Sequence, residues 1–422
     1  MQAMNASLSL TALLAMVLVL HVVLKLWLNA RQVRHVAAHR AQVPQAYATT
    51  ICLADHQKAA DYTLAKARLA LWSILLEGLL VLGWTLLGGL QALQSLVQSL
   101  VAPGLMQQVA LVLCFALIGG VLSLPLSWLQ TFGIEQRFGF NKMTPALWLS
   151  DLAKGVLLGG LLGVPLLALV LWLMQAGGSL WWLWAWATLV VWQLILMAIA
   201  PNVIMPLFNK FSPLEDENLK ARVQALIARS GFKAKGFFVM DGSRRSAHSN
   251  AFFTGFGASK RVVFFDTLLK QLSPPEMEAV LAHELGHFKH KHIVKMMVTS
   301  WVTSLLGLAL LGWLAQQTWF YTGLGVSPSL SGDNAALALV LFMLVVPLVT
   351  FFASPLLSWR SRQQEFEADA YAASQAPAKD LGTALLKLYQ DNASTLTPDP
   401  LYVRFYYSHP PASERLSRLL AA

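Results

Sequence analysis

Long apolar runs dominate this chain, and its polar residues are gathered between them. A hydrocarbon layer about 30 Å thick is crossed by a helix of about 20 apolar residues. Seven runs meet that requirement: Leu8–Leu28, Leu69–Leu90, Val109–Trp128, Val156–Met174, Leu180–Ala200, Met296–Leu314 and Ala335–Trp359. Pro103, Pro125, Pro165 and Pro347 fall at points where a helix would kink or end. Between the fifth and sixth runs the pattern changes. GFFVMD from Gly236, NAFFTGFG from Asn250 and RVVFFD from Arg261 are short, rich in β-formers and bounded by turn residues, so they read as strands.

Composition supports lipid as the solvent for much of the chain. Hydrophobic residues make up 56% and charged residues 12% of 422, against about 45–50% and about 25% in soluble domains. The formal net charge is +10, but Lys and Arg flank apolar runs, which is the pattern of membrane orientation and excludes a nucleic-acid partner. Arg31, Arg34, Arg40, Lys58, Lys66 and Arg68 follow the first run. Residues 91–108 carry no charge. Arg137, Lys142 and Lys154 come next, then a neutral turn at 176–179 and a basic region at 202–295. Residues 315–334 carry only Asp333, and Arg360 and Arg362 follow the last run. Because positive loops stay in the cytoplasm, the N-terminus is expected outside and the C-terminus inside, with both large polar segments cytoplasmic. The first run lacks a charged n-region and a cleavage site, so it is not a signal peptide in form.

Trp172, Trp181, Trp182, Trp184 and Trp186 are expected to form an interfacial belt. Glu77, His21 and Lys25 lie within apolar runs. Lys25 reads as snorkelling to the cytoplasmic edge. For Glu77 two readings stand, a wet cavity or an interhelical contact. Cys52 and Cys114 have neither metal-site nor disulfide spacing.

The chemistry is concentrated in SPPEMEAVLAHELGHFKHKH, from Ser273. Ser273, Pro274 and Glu276 form a capping box that starts a helix. One turn apart on that helix, His283 and His287 share a face and can reach one zinc ion, while Glu284 lies beside them as the base for a water. His290 and His292 could be further ligands, but basic residues at the membrane edge are the favoured reading. A catalytic zinc takes three protein ligands and keeps one position open. The third is sought in SWRSRQQEFEADAYAA after the last run. There Glu365 and Asp369 share a helical face and Glu367 points the opposite way. Glu365 is assigned to the metal and Asp369 to orienting a ligating histidine.

These segments, with EQRFGFNKMT from Glu135, MPLFNKFSPL from Met205, VMDGSRRSAHSNAFFTGFG from Val239 and SHPPASER from Ser408, resemble the CAAX prenyl protease 1 family of membrane gluzincins. The resemblance covers most of the chain. It implies a mostly α, seven-transmembrane-helix protein around a water-filled chamber, with a small cytoplasmic α+β, zincin-like metalloprotease domain. It implies one Zn2+ per chain on His283, His287 and Glu365, with Glu284 as general base and His409 supporting the tetrahedral intermediate. Asn250 and Arg415 match residues near bound substrate. The basic HFKHKH tail, the lack of a long lumenal insertion and the LSRLLAA ending point to a bacterial member in the inner membrane.

Four regions are expected: 1–201 with five spans; 202–295 with strands and the HExxH helix; 296–360 with the last two spans; and 361–422 with the third ligand and the SHPP motif. The expected activity is zinc-dependent hydrolysis of a peptide or protein, lipidated or not, near the cytoplasmic face, with an edge strand holding substrate by backbone hydrogen bonds. The rival readings are a quality-control protease for membrane proteins and, more remotely, a transporter or channel with a structural zinc.

Overall fold

The apolar runs form helices because a backbone in lipid must satisfy its own hydrogen bonds. The computed structural model describes residues 2–233, 235–254, 261–329 and 334–421. Among the described residues seven helical paths are long and apolar enough to cross a membrane: Met4–His39, Leu53–Trp84, Leu105–Glu135, Pro145–Ala176, Gly178–Phe208, His292–Leu314 and Ala335–Gln375. All seven expected spans are present, but most run further than their apolar cores. At 1.5 Å per residue the first reaches roughly 50 Å, well beyond the hydrocarbon layer. The second shows why the apolar pattern misplaced its ends. Its polar start, from Leu53, carries good helix formers such as Ala59, Ala60 and Lys66. It stops at Trp84, before the expected Leu90, where the chain turns through Gly88 at φ +78° into a separate amphipathic helix, Gly89–Leu100.

Pro125 lies four residues before a π-helical stretch, Leu129–Glu135, and Pro201 lies inside another, Ala200–Ile204. Pro165 and Pro347 sit within continuous helices, whereas Pro103 falls in the turn before Leu105–Trp128. In the fifth span Trp181 and Ala185 join the core between the helices, while most of the other side chains are only partly buried or exposed.

Two expectations about intramembrane residues change, and one left open is decided. Lys25 does not snorkel outward; its Nζ lies 2.7 Å from Glu77 Oε2, with His21 Nε2 3.5 Å from the other oxygen. The pairing gives Glu77 its interhelical contact. The tryptophan belt is partial. Trp172 and Trp184 are exposed, but Trp181 is buried and Trp186 Nε1 donates to the Trp301 carbonyl at 2.8 Å.

The polar segment after the fifth span forms a four-stranded sheet of β1 (Phe211–Pro213), β2 (Gly236–Met240), β3 (Ala251–Thr254) and β4 (Arg261–Phe265), in the order β1-β2-β4-β3. The three expected strands are β2, β3 and β4; β1 was not expected. β2 and β4 run parallel, and the other two pairs are antiparallel. Gly255 and Gly257 of the NAFFTGFG segment, and Asp333, lie outside the described residues. One face of the sheet packs, through Val262 and Phe264, with Leu281 and Leu285 of the helix Pro274–Lys289, Leu226 of Glu217–Arg229 and Leu385 of Ala378–Asp391. Burying each such leucine contributes about 1.5–3 kcal/mol. This packing turns the opposite face of Pro274–Lys289 toward the long seventh helical path.

Candidate active site

Helix Pro274–Lys289 begins with the capping box read from the sequence. The Ser273 N–H donates to Glu276 Oε2 at 2.7 Å, and Lys387 Nζ donates to the same oxygen at 2.8 Å. Leu281 and Leu285 bury one face of the helix, which leaves His283 and His287 on the other. The helix meets its partner at Gly286, where a Cβ would lie 2.8 Å from Ala368 Cα. Only glycine allows this approach, and Ala368 lies between Glu365 and Asp369 on the facing helix, Ser354–Gln375. Close packing at one glycine therefore delivers the carboxylates to the histidines.

The three residues assigned to the metal converge. His283 and His287 Nε2 are 3.2 Å apart, and each lies 3.4 Å from a Glu365 oxygen. Two ligand atoms held 2.0–2.1 Å from a tetrahedral centre are separated by roughly 3.3–3.4 Å. Glu365 Oε2 is buried with no hydrogen-bond partner, a costly arrangement for a carboxylate unless a cation satisfies it. Among the described residues this is the single group of three or more His, Cys, Asp or Glu side chains able to hold a metal ion. The donor set fits a metal.

Asp369 takes the position expected of it. His283 Nδ1–H donates to Asp369 Oδ1 at 2.8 Å, which leaves Nε2 free to face the metal position. Arg415 holds the carboxylate from the far side, through Nε at 2.8 Å and Nη2 at 2.6 Å. Arg415 lines the cavity as expected of a residue near substrate, yet two of its nitrogens are committed to Asp369, and Nη1 lies 3.8 Å from Glu365. Burial alone would lower the His283 imidazole, but the Asp369 and Glu365 carboxylates lift it to about 9, whereas burial holds His287 down to about 4. The carboxylates thus demand one positive charge at this point, as a metal cation would supply. Burial pushes the Glu284 carboxyl above its ordinary range.

A cavity of about 410 Å³ opens on the group, lined by Asn250, His283, Glu284, Glu365, His409 and Arg415 among others. It shares Tyr389, Asn392, Ser394 and His409 with a second cavity of about 720 Å³ that reaches Tyr62, Lys66 and Ser73 of the second span. His409 Nε2 lies 3.5 Å from Glu365 Oε1, and its side chain is two-thirds exposed. Asn250 immediately precedes β3, its carbonyl accepting from the Phe265 N–H at 3.0 Å.

One histidine was misread. His292 is not a surface residue of the membrane edge. It is buried, and it lies between His287 Nδ1 at 3.0 Å and Glu367 Oε2 at 2.8 Å. Its spacing gave no signal, because five residues along an unbroken helix would turn it about 140° from His287. The helix is broken at Lys291, φ +55°, and a new one starts at His292. Glu367 points away from the metal group, as expected, but it meets His292. His290 Nδ1 lies 4.0 Å from Glu367, and its ring stacks on His292 with centroids 5.5 Å apart.

Comparison with known proteins places nearly the whole chain in a family. Residues 32–210 match the family model described as CAAX prenyl protease N-terminal, five membrane helices, and residues 213–422 match peptidase family M48. CAAX prenyl protease 1 of Saccharomyces cerevisiae is 39% identical over 331 residues, covering 74% of this chain and 72% of the relative. The human CAAX prenyl protease 1 homolog is 30% identical over 440 residues, covering 92% and 91%. The crystal structure of S. mikatae Ste24p superposes with a TM-score of 0.90 at 31% identity, covering 97% of this chain and 99% of that one. These relatives are eukaryotic and lend no support to a bacterial source. A group able to hold a metal ion that opens on a cavity, in a chain with seven helices long and apolar enough to cross a membrane, joined to a match along nearly the whole chain, makes this protein a multi-pass membrane metalloendopeptidase that belongs to the CAAX prenyl protease 1 family.

Proposed function

We propose that this chain binds one Zn2+ through His283, His287 and Glu365 and cleaves peptide bonds in C-terminal tails of prenylated or membrane-associated proteins, at the cytoplasmic edge of the bilayer. The observation that carries the reading is the convergence of three residues on a cavity that leaves one side open: the His283 and His287 Nε2 atoms are 3.2 Å apart, and each lies 3.4 Å from one of the two Glu365 oxygens. A structural zinc is normally closed by four protein ligands; three ligands beside Glu284 favour catalysis.

When bound, the metal polarises the attacking water and the scissile carbonyl. Glu284 takes the proton from that water and delivers it to the leaving amine, and its raised carboxyl pKa suits both transfers. His409 donates from Nε2 to the developing oxyanion. Asp369, held by Arg415, keeps His283 in the tautomer that leaves Nε2 free. β3 is an edge strand with only β4 beside it among the described residues, and Asn250 immediately precedes it. Substrate adds to that edge in extended form. The basic loops support a cytoplasmic site. The four regions bounded at 201, 295 and 360 follow this division of labour.

The names of the relatives support the prenylated substrate class. Backbone pairing on an edge strand also suits a broader membrane quality-control protease. A farnesylated peptide assayed beside its unprenylated counterpart separates the two: at least tenfold preference supports the first, and equal rates support the second. Glu284→Gln tests the mechanism. It should keep full zinc content and lose about 10²–10⁴-fold in kcat. Retained proteolysis excludes Glu284 as the base.

A further inference from the structure

The two histidines of the metal group are supported in different ways. Behind His283 stands a carboxylate, Asp369, locked by Arg415. Behind His287 stands another histidine. His287 Nδ1 and His292 Nδ1 are 3.0 Å apart, and His292 Nε2 is 2.8 Å from Glu367 Oε2. Hydrogen-bond bookkeeping leaves one consistent assignment. A metal held by His283, His287 and Glu365 would take the His287 Nε2 lone pair, so the His287 proton would sit on Nδ1. His292 Nδ1 then has to accept, so its own proton sits on Nε2 and is donated to Glu367. Each atom in the chain has a partner of the right kind.

The backbone is arranged for this contact. Lys291 occupies the left-handed region, φ +55°, at a cost of about 1–2 kcal/mol for a residue other than glycine. That break swings His292 back under His287 and starts the sixth span. His292 is 3% exposed, so no water replaces it freely, while Glu367 at the end of the chain is 47% exposed in its side chain.

We propose that His292 and Glu367 are positioning residues that hold His287 in its metal-binding tautomer and orientation, and that they thereby set the affinity of the site. The inference rests on the zinc reading above and gives His292 a task separate from packing. Losing the hydrogen-bond partner of a ligating histidine typically lowers metal affinity about 10–100-fold.

The experiment is zinc affinity, measured on purified full-length protein by competition with a chromophoric chelator, with thermal melting of the zinc-free protein alongside. His292→Leu keeps the volume and removes the acceptor, and its Kd should rise about 10–100-fold. His292→Asn places an amide oxygen where Nδ1 stood, and it should recover most of that loss. Glu367→Ala, at a half-exposed position that does not endanger folding, should weaken zinc several-fold while the zinc-free melt is unchanged. Wild-type Kd in both His292→Leu and Glu367→Ala overturns the proposal, and if His292→Leu does not fold, wild-type Kd in Glu367→Ala alone does so. Equal losses in His292→Leu and His292→Asn also overturn it, since packing and not the acceptor would then be responsible. Glu365→Ala is the control for the underlying site. If it leaves zinc binding intact, the ligand assignment itself is wrong; if it abolishes binding while the other variants bind normally, only the role of His292 and Glu367 falls.

Discussion

Gly286→Ala sets two physical effects against each other at the point where the site is assembled. Alanine is the better helix former by about 0.8–1.0 kcal/mol, so an isolated helix would gain stability. In the protein the new Cβ would lie 2.8 Å from Ala368 Cα and 3.0 Å from the Ala368 carbonyl oxygen. Both are backbone atoms, and no rotamer change moves them. Overpacking of this kind costs about 1–3 kcal/mol, so the clash should outweigh the propensity. Restoring ordinary contact at 3.4 Å needs the two helices to part by about 0.6 Å. That movement falls on the 3.4 Å separations between Glu365 and the two imidazoles. Misplacement of about 1 Å can lower a rate about 10²-fold, so kcat/KM should fall by tens of fold, with weaker zinc binding and a lower melting temperature. Gly382→Ala is the matched control. Its Cβ would meet Leu416 Cδ2, the end of a flexible side chain, at 3.3 Å, and it should be nearly neutral. A Gly286→Ala protein that melts higher than wild type and binds zinc normally would refute the claim that this contact positions Glu365.

Other outcomes follow from the same geometry. Asp369→Ala leaves Arg415 charged and buried, which should cost about 3–5 kcal/mol in stability and at least tenfold in zinc affinity, read by melting and chelator competition. Glu276→Ala removes half of the capping box and the contact to Lys387, for a loss of about 1 kcal/mol at neutral pH. Burial would raise the Glu276 carboxyl, but Lys387 and the Ser273 amide hold it below its ordinary value. The contribution is therefore complete above about pH 4.3 and is lost as pH falls through the lower folded value, so the melting difference from wild type should vanish in acid. Backbone N-methylation walked along a peptide substrate should slow cleavage at alternate residues, the period of a strand paired with β3; a uniform response would exclude strand addition.

The sequence made legible whatever is local or periodic. Seven apolar runs could only be spans, and the one-turn spacing of His283 and His287 with the capping box at Ser273 gave the motif helix and the face that carries both imidazoles. The shared face of Glu365 and Asp369 was readable for the same reason. Span ends were not, because the helices continue on polar helix formers after the membrane stops constraining them, as between Leu53 and Leu69. His292 was missed because its contact depends on a backbone reversal at Lys291, a lysine, where no glycine marks the left-handed position. The inward turn of Lys25 was hidden because its partner, Glu77, lies 52 residues away.

The proposed ligands come from helices that lead into or continue the membrane spans. The motif helix ends at Lys289, and after the break at Lys291 the chain becomes the sixth span. Glu365 and Asp369 ride on the helical path that runs from Ala335 to Gln375, so they continue the seventh. The separation between His283 and Glu365 is therefore governed by how the sixth and seventh spans sit against each other, and the Gly286–Ala368 contact is the point where that relation is fixed. A fragment made of residues 202–295 would retain the HExxH motif yet lack Glu365, Asp369, Arg415 and His409. Its histidines would face no carboxylate. The proposed metal group belongs to the membrane bundle as much as to the sheet that supports His283 and His287.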